Sequence, residues 1–123
     1  LIKNAGGLVI SPFDSAMRSL LVAIYELDVR EIMVIAHTEC GACHMSFEAF
    51  REHILARGID EKTLDTIQHC GIDLNKWLEG FHDTASSVRQ TVDTIRRHPL
   101  VPTDVIVRGF IINSVTGQLE ECR

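Results

Sequence analysis

The sequence predicts an α/β domain: a mostly parallel central sheet flanked by helices, ending in a C-terminal antiparallel edge hairpin. Three observations carry that class. "IMVIA" (32–36) is an apolar run too short for a helix and reads as a strand buried on both faces, and "DVIVRGFIIN" (104–113) reads as a second buried strand. Segments with helical spacing lie before the first run and between the two. Thr116–Gly117 then turns the chain into a short edge strand around Leu119.

Taken in order, Gly6 and Gly7 mark a turn. "SPFD" opens a helix, with Ser11 as N-cap, Pro12 at the first helical position and Asp14 reaching back as in a capping box. Phe13, Met17, Leu20, Leu21, Ile24 and Leu27 follow at helical spacing, and this helix should end near Asp28. Its apolar face suits a subunit interface or ordinary core packing equally well. After the first strand, Phe47, Phe50 and Ile54 give a helix closed by Gly58. Residues 60–81 carry weaker helical signals at Leu64, Ile67, Leu74, Trp77 and Leu78. A clearer helix holds Ala85, Val88, Val92 and Ile95 and stops before Pro99. No linker, repeat or low-complexity stretch divides residues 1–123, so they are expected to form a single domain. The first residues, "LIKNAGG", read like the tail of a strand, which leads us to expect an upstream segment before Leu1.

Composition is that of an ordinary globular protein, 46% hydrophobic and 24% charged. A net charge of −5 argues against nucleic acid or an anionic membrane as the main partner. The densest basic cluster, Arg96, Arg97 and His98, falls where positive charge complements a helix C-terminus. No apolar run approaches the roughly 20 residues of a membrane span, and nothing at the start reads as a signal peptide. Cysteines at 40, 43, 70 and 122 lack the dense spacing of a secreted disulfide framework; a reducing, cytoplasmic setting is expected, with thiolates available to metals.

The chemistry concentrates in "AHTECGACH" (36–44). His37 stands at the carboxyl end of the first strand, where ligands of open α/β sheets bind. His37 and Cys40, spaced H-x-x-C, can turn an imidazole and a thiolate towards one zinc ion. Gly41 lets backbone approach the metal's open side and offers an N–H to a bound anion; the same glycine also suits a tight turn at positive φ. A helix starting just after Gly41 would favour the Cys40 thiolate. The rival reading takes Cys40 and Cys43 as a C-x-x-C redox dithiol. Otherwise Cys43, Cys70 and Cys122 read as small buried apolar residues, and His44, His53, His69 and His82 as incidental surface or loop histidines.

The order "KNAGG", "SAMRSL", "EIMVIAHTECGA", "RRHPLVP", "VIVRGFIINSVTGQLEE" resembles the β-class carbonic anhydrases, and the short bacterial branch in particular, over nearly the whole chain. The resemblance implies a β-carbonic-anhydrase-like fold. It also implies zinc (Zn2+) held by His37 and Cys40, with the Gly41 N–H presented to substrate or product. Lys3 replaces an arginine common before N-A-G, keeping the charge but losing the planar fork. A further cysteine ligand and the catalytic Asp/Arg dyad belong to a Cys-x-Asp-x-Arg strand that the family carries upstream of N-A-G, hence before Leu1. The implied activity is reversible hydration of CO2 to bicarbonate and a proton, in a homodimer or higher homo-oligomer. The alternatives are hydrolysis of carbonyl sulfide or carbon disulfide on the same fold, or a non-catalytic relative lacking the first strand.

Overall fold

The computed structural model describes residues 1–123, which fall into two compact units: residues 1–40 with 83–123, and residues 41–82.

The first unit holds α1 (Ser15–Glu26), β1 (Glu31–His37), α5 (Thr84–Arg96), β2 (Ile106–Ile112) and β3 (Leu119–Cys122). The sheet order is β1-β2-β3, with β1 and β2 parallel from Glu31↔Ile106 to His37↔Ile112 and β2 and β3 antiparallel. Its core joins Met17 and Ile24 of α1 and Val88, Val92 and Ile95 of α5 to Ile32, Val34, Ala36 and Val107 of the sheet. Helix and strand periodicities thus bury one stripe and one face against each other.

Two expectations need correction here. β1 is not buried on both faces: its pattern alternates, and Met33 and Ile35 stay 47% and 46% exposed, because both helices of this unit contribute to the core on the Ile32–Val34–Ala36 side. Nor is Ser11 the N-cap. Asp14 caps α1, its carboxylate accepting from Met17 N at 2.7 Å, while its second oxygen accepts from Ile10 N at 2.7 Å and Ser11 N at 3.3 Å. The expected reach back to Ser11 is therefore made, but Ser11–Asp14 is a turn ahead of the helix, closed by Asp14 N–H on Ser11 O at 3.3 Å. At the other end, Leu27 and Val29 N–H both bond Ala23 O, with Asp28 left-handed at φ 55°.

Asn4 explains the turn that follows it. Its side chain donates to Leu8 O at 2.6 Å and accepts from Leu8 N at 2.9 Å, folding residues 4–8 around Gly6 and Gly7, at φ 94° and 66°. At Gly7 a Cβ would stand 3.3 Å from Ile35 O, so the bare backbone lets this turn rest against β1. The β2–β3 connection is closed by Asn113 N–H on Gln118 O and Gly117 N–H on Asn113 O, with Gly117 at φ 75°.

The second unit holds α2 (Phe47–Ala56), α3 (Glu61–His69) and α4 (Leu74–Leu78), capped in turn by the side chains of Ser46, Asp60 and Asp73. Gly58 and Gly71, at φ 94° and 92°, end the first two helices. No helix of the chain is long and apolar enough to cross a membrane.

Candidate metal centre

β1 delivers His37 to its carboxyl end, with the ring exposed. His37 Nδ1 lies 2.8 Å from Thr38 O. A carbonyl oxygen only accepts, so Nδ1 carries the proton and Nε2 is left as the free lone pair. That is how metal-binding histidines are commonly prepared, one nitrogen tied to a carbonyl and the other presented. Thr38 is fixed in turn: its N–H donates to Ile112 O at 3.0 Å, and its hydroxyl accepts from Ser114 N at 3.1 Å and lies 3.0 Å from Ser114 Oγ. The β2–β3 turn therefore braces the residue that orients the imidazole.

Glu39 follows at φ 57°, a left-handed conformation uncommon for a side-chain-bearing residue. It bends the chain between His37 and Cys40, whose thiol is free and half-buried. The tight turn expected at Gly41 is thus made elsewhere: Gly41 does not have positive φ, whereas Glu39 and His44 do. A Cβ at Gly41 would meet nothing within 4 Å, so its exposed backbone is unobstructed. No helix begins directly after it; α2 starts only at Phe47. Helix-terminal stabilisation of the Cys40 thiolate has no basis in that arrangement, because the dipole effect fades beyond the first turn.

An imidazole and a thiolate suit zinc in kind. In number they fall one short of the three protein ligands of a catalytic zinc, and no group of three or more His, Cys, Asp or Glu in residues 1–123 is placed to hold a metal ion.

The second unit contains an arrangement that the sequence did not disclose. Cys43 bridges to Phe81, His44 N–H donates to Phe81 O at 2.6 Å, Phe81 N–H to Ala42 O at 3.3 Å and Gly80 N–H to Met45 O at 2.8 Å. Gly80 makes this clasp possible, since a Cβ there would stand 2.2 Å from Ala42 O. The clasp sets the His44 and His82 rings 5.7 Å apart, so these two are neighbours rather than unrelated surface residues. His53 and His69 are exposed as expected, but Cys70 is exposed rather than buried. Cys122 is half-buried, and burial pushes its thiol pKa up. The basic run also disperses: Arg97 faces Asp93 at 3.5 Å, Arg96 donates to Val107 O, and His98 is buried.

The family model described as carbonic anhydrase matches residues 1–121. A Bacillus subtilis (strain 168) protein, YtiB, provisionally named a carbonic anhydrase, is 45% identical over 120 residues, covering 98% of this chain and 64% of its own. A carbon disulfide hydrolase of Acidithiobacillus thiooxidans is 30% identical over 129 residues, covering 97% and 61%. Among solved structures, β-carbonic anhydrase isoform I of Trichomonas vaginalis superposes with a TM-score of 0.88 at 31% identity, covering 98% of this chain and 65% of that one. The chain therefore spans a little over three fifths of the length of each of these relatives.

Proposed function

The chain belongs to the β-carbonic anhydrase family, and from that premise we propose that its protein is a zinc-dependent lyase interconverting CO2 and bicarbonate. The observation that carries the reading is His37 at the end of β1, its Nδ1 tied to Thr38 O and its Nε2 free, three residues before a free Cys40 thiol. In this proposal His37 Nε2 and Cys40 Sγ are two of the metal ligands, and a cysteine of the family's Cys-x-Asp-x-Arg strand, before N-A-G, is the third. Zinc, when bound, acidifies a coordinated water to a pKa of about 7, a value itself known from carbonic anhydrase, so that a nucleophile is available at neutral pH.

This chain's own residues have three tasks. Thr38, braced by Ser114, fixes the His37 ring and its tautomer. Cys40 supplies negative charge and so lowers the net charge of the metal site. The Gly41 N–H donates to an anionic oxygen of substrate or product, since a backbone donor needs no side-chain reorganisation as charge develops. A homodimeric or larger assembly and a cytoplasmic location belong to the same proposal.

The test is made on the full-length protein. Wild type should carry about one zinc per chain and accelerate CO2 hydration in stopped flow, while His37→Ala and Cys40→Ala should lose zinc and activity together. Stoichiometric zinc retained in either variant would sink the ligand assignment; zinc-loaded protein with no rate above buffer would sink the reaction. A second reading, carbon disulfide or carbonyl sulfide hydrolysis, is supported by the 30% identity to a carbon disulfide hydrolase. Sulfide release outpacing CO2 hydration would favour it.

A further inference from the structure

A cleft of about 650 Å3 opens in the first unit between α5 and the β2–β3 edge, within the size range of small-ligand sites. Arg89, Arg96, Arg108 and Arg123 line it, with Asp93 and Glu121 as its carboxylates. Four arginines thus face two lining carboxylates, with Asp83 beside Arg89, on a chain whose net charge is −5.

The pairing is uneven. Arg108 is spent on Glu121, at 3.0 Å and 3.3 Å, with Glu31 at 3.7 Å and the Phe110 ring under its guanidinium. Arg123 shares the same Glu121 at 3.5 Å, and Asp93 faces Arg97. Arg96 is different: its guanidinium donates to Val107 O, an acceptor with no formal charge, so it is oriented without being neutralised. Arg89 donates to Ser86 Oγ at 3.4 Å, and its carboxylate neighbour Asp83 is 3.9 Å away. Arg89 and Arg96 are seven residues apart on α5, which puts them on one face about 10 Å apart along the axis. Cys122 also lines the cleft; burial pushes its thiol pKa up, and the charges of Glu120 and Asp83 act in the same direction.

We propose that this cleft binds a small polyanion with linked phosphate groups, of the pyrophosphate type. Guanidinium forks match phosphate oxygens bidentately. A single phosphate satisfies one fork, whereas two linked phosphates can engage Arg96 and Arg89 together as the flexible arginine side chains converge. The site is independent of the zinc reading and needs no turnover to be seen.

The experiment is calorimetric titration of the full-length protein at about 0.1 M salt with pyrophosphate, orthophosphate and citrate as separate probes. Pyrophosphate should bind saturably, one per chain, and at least tenfold more tightly than orthophosphate or citrate. Arg96→Gln and Arg89→Gln should each weaken it tenfold or more, while Arg18→Gln, on α1 and outside the cleft, should leave it unchanged. Should Arg96→Gln melt early for want of its bond to Val107 O, Arg89→Gln decides, since Arg89 holds only a long hydroxyl contact and an exposed ion pair with Asp83 at 3.9 Å. Absence of saturable binding, equal affinity for the three anions, or a loss in Arg18→Gln matching that in Arg89→Gln would overturn the proposal.

Discussion

Gly109 is the position where the core of the first unit leaves no room for a side chain, and Gly109→Ala measures that. A Cβ there would lie 2.5 Å from Val88 Cγ1 and 3.0 Å from Val92 Cγ2, against an ordinary contact of 3.4–4 Å. Val88 is 1% exposed and Val92 6%, so neither can swing into solvent. Both are β-branched residues on a helix, held in one strongly preferred χ1 rotamer. Relief therefore requires moving α5 off β2 by about an ångström or twisting a valine off its rotamer. Overpacking of this kind costs about 1–3 kcal/mol, offset by roughly 0.5–1 kcal/mol from removing a glycine from a strand interior. Gly109→Ala should thus destabilise by about 1–2 kcal/mol in urea denaturation followed by circular dichroism. Val88→Ala alone removes two buried methyl groups and should cost about 2 kcal/mol. In the double variant the new methyl enters the space Val88 vacates, so the pair should fall short of the summed costs by at least 1 kcal/mol. Additivity within about 0.5 kcal/mol, the behaviour of independent sites, would refute the steric reasoning.

His98→Ala should destabilise by about 2–4 kcal/mol, because the buried ring accepts from Leu100 N at 3.1 Å and donates from Nε2 to Pro12 O at 2.7 Å, and both partners are left unmatched. His98→Asn should restore the first bond and His98→Gln the second, so each should melt between wild type and alanine; neither doing so would contradict the assignment. Hydrogen bonds from the Ser86 hydroxyl and N–H hold the Asp83 carboxyl below its usual 3.8, and the bond from Arg108 holds Glu121 below its usual 4.5. Both contributions are present above the unfolded values and are lost as pH falls through the lower folded ones, so melting temperature should drop as the solution is acidified below about pH 4.5. In Asp83→Asn that acid dependence should be shallower; an unchanged slope would show that Asp83 does not contribute. At pH 8, iodoacetamide should label exposed Cys70 first and Cys122 last, since burial shields the Cys122 thiol and pushes its pKa up, and peptide mapping over time would expose the reverse order. Gly41→Pro in the full-length protein should keep its zinc while CO2 hydration falls about tenfold or more, as it deletes only an N–H whose removal from an anion-binding site costs on that scale; loss of zinc instead would mean that Gly41 shapes the ligand loop.

How much of this was legible in advance depended on the range of the interactions. The strands 32–36 and 104–113 and the helix around Val88–Ile95 were readable because their hydrophobic periods are local, and all three fall in the core. The start of α1 was misplaced by three residues because Ser11 and Asp14 both carry capping groups, and only the turn at Ser11–Asp14 decides which one caps. The exposure of Met33 and Ile35 was beyond reach. An unbroken apolar run cannot say which of its faces another element covers, and here α1 and α5 both join the core of one face.

The candidate centre divides along the same line. H-x-x-C-G is a local pattern, so His37, Cys40 and Gly41 could be named from sequence alone. What prepares His37 is not local: Thr38 is held by Ser114, 76 residues later, through the register that pairs His37 with Ile112. Position 38 need not be threonine to fit a strand end; it needs a hydroxyl to bond across to the β2–β3 turn. Thr38→Val tests the distinction, since it keeps the β-branched shape and removes the bonds to Ser114. If bracing matters, zinc affinity of the full-length protein should fall by roughly 10–100-fold, the range for outer-shell partners of metal ligands, with the fold's melting temperature little changed. Unaltered affinity would make Thr38 a bystander and leave its carbonyl, which every residue possesses, as the only contact orienting the imidazole.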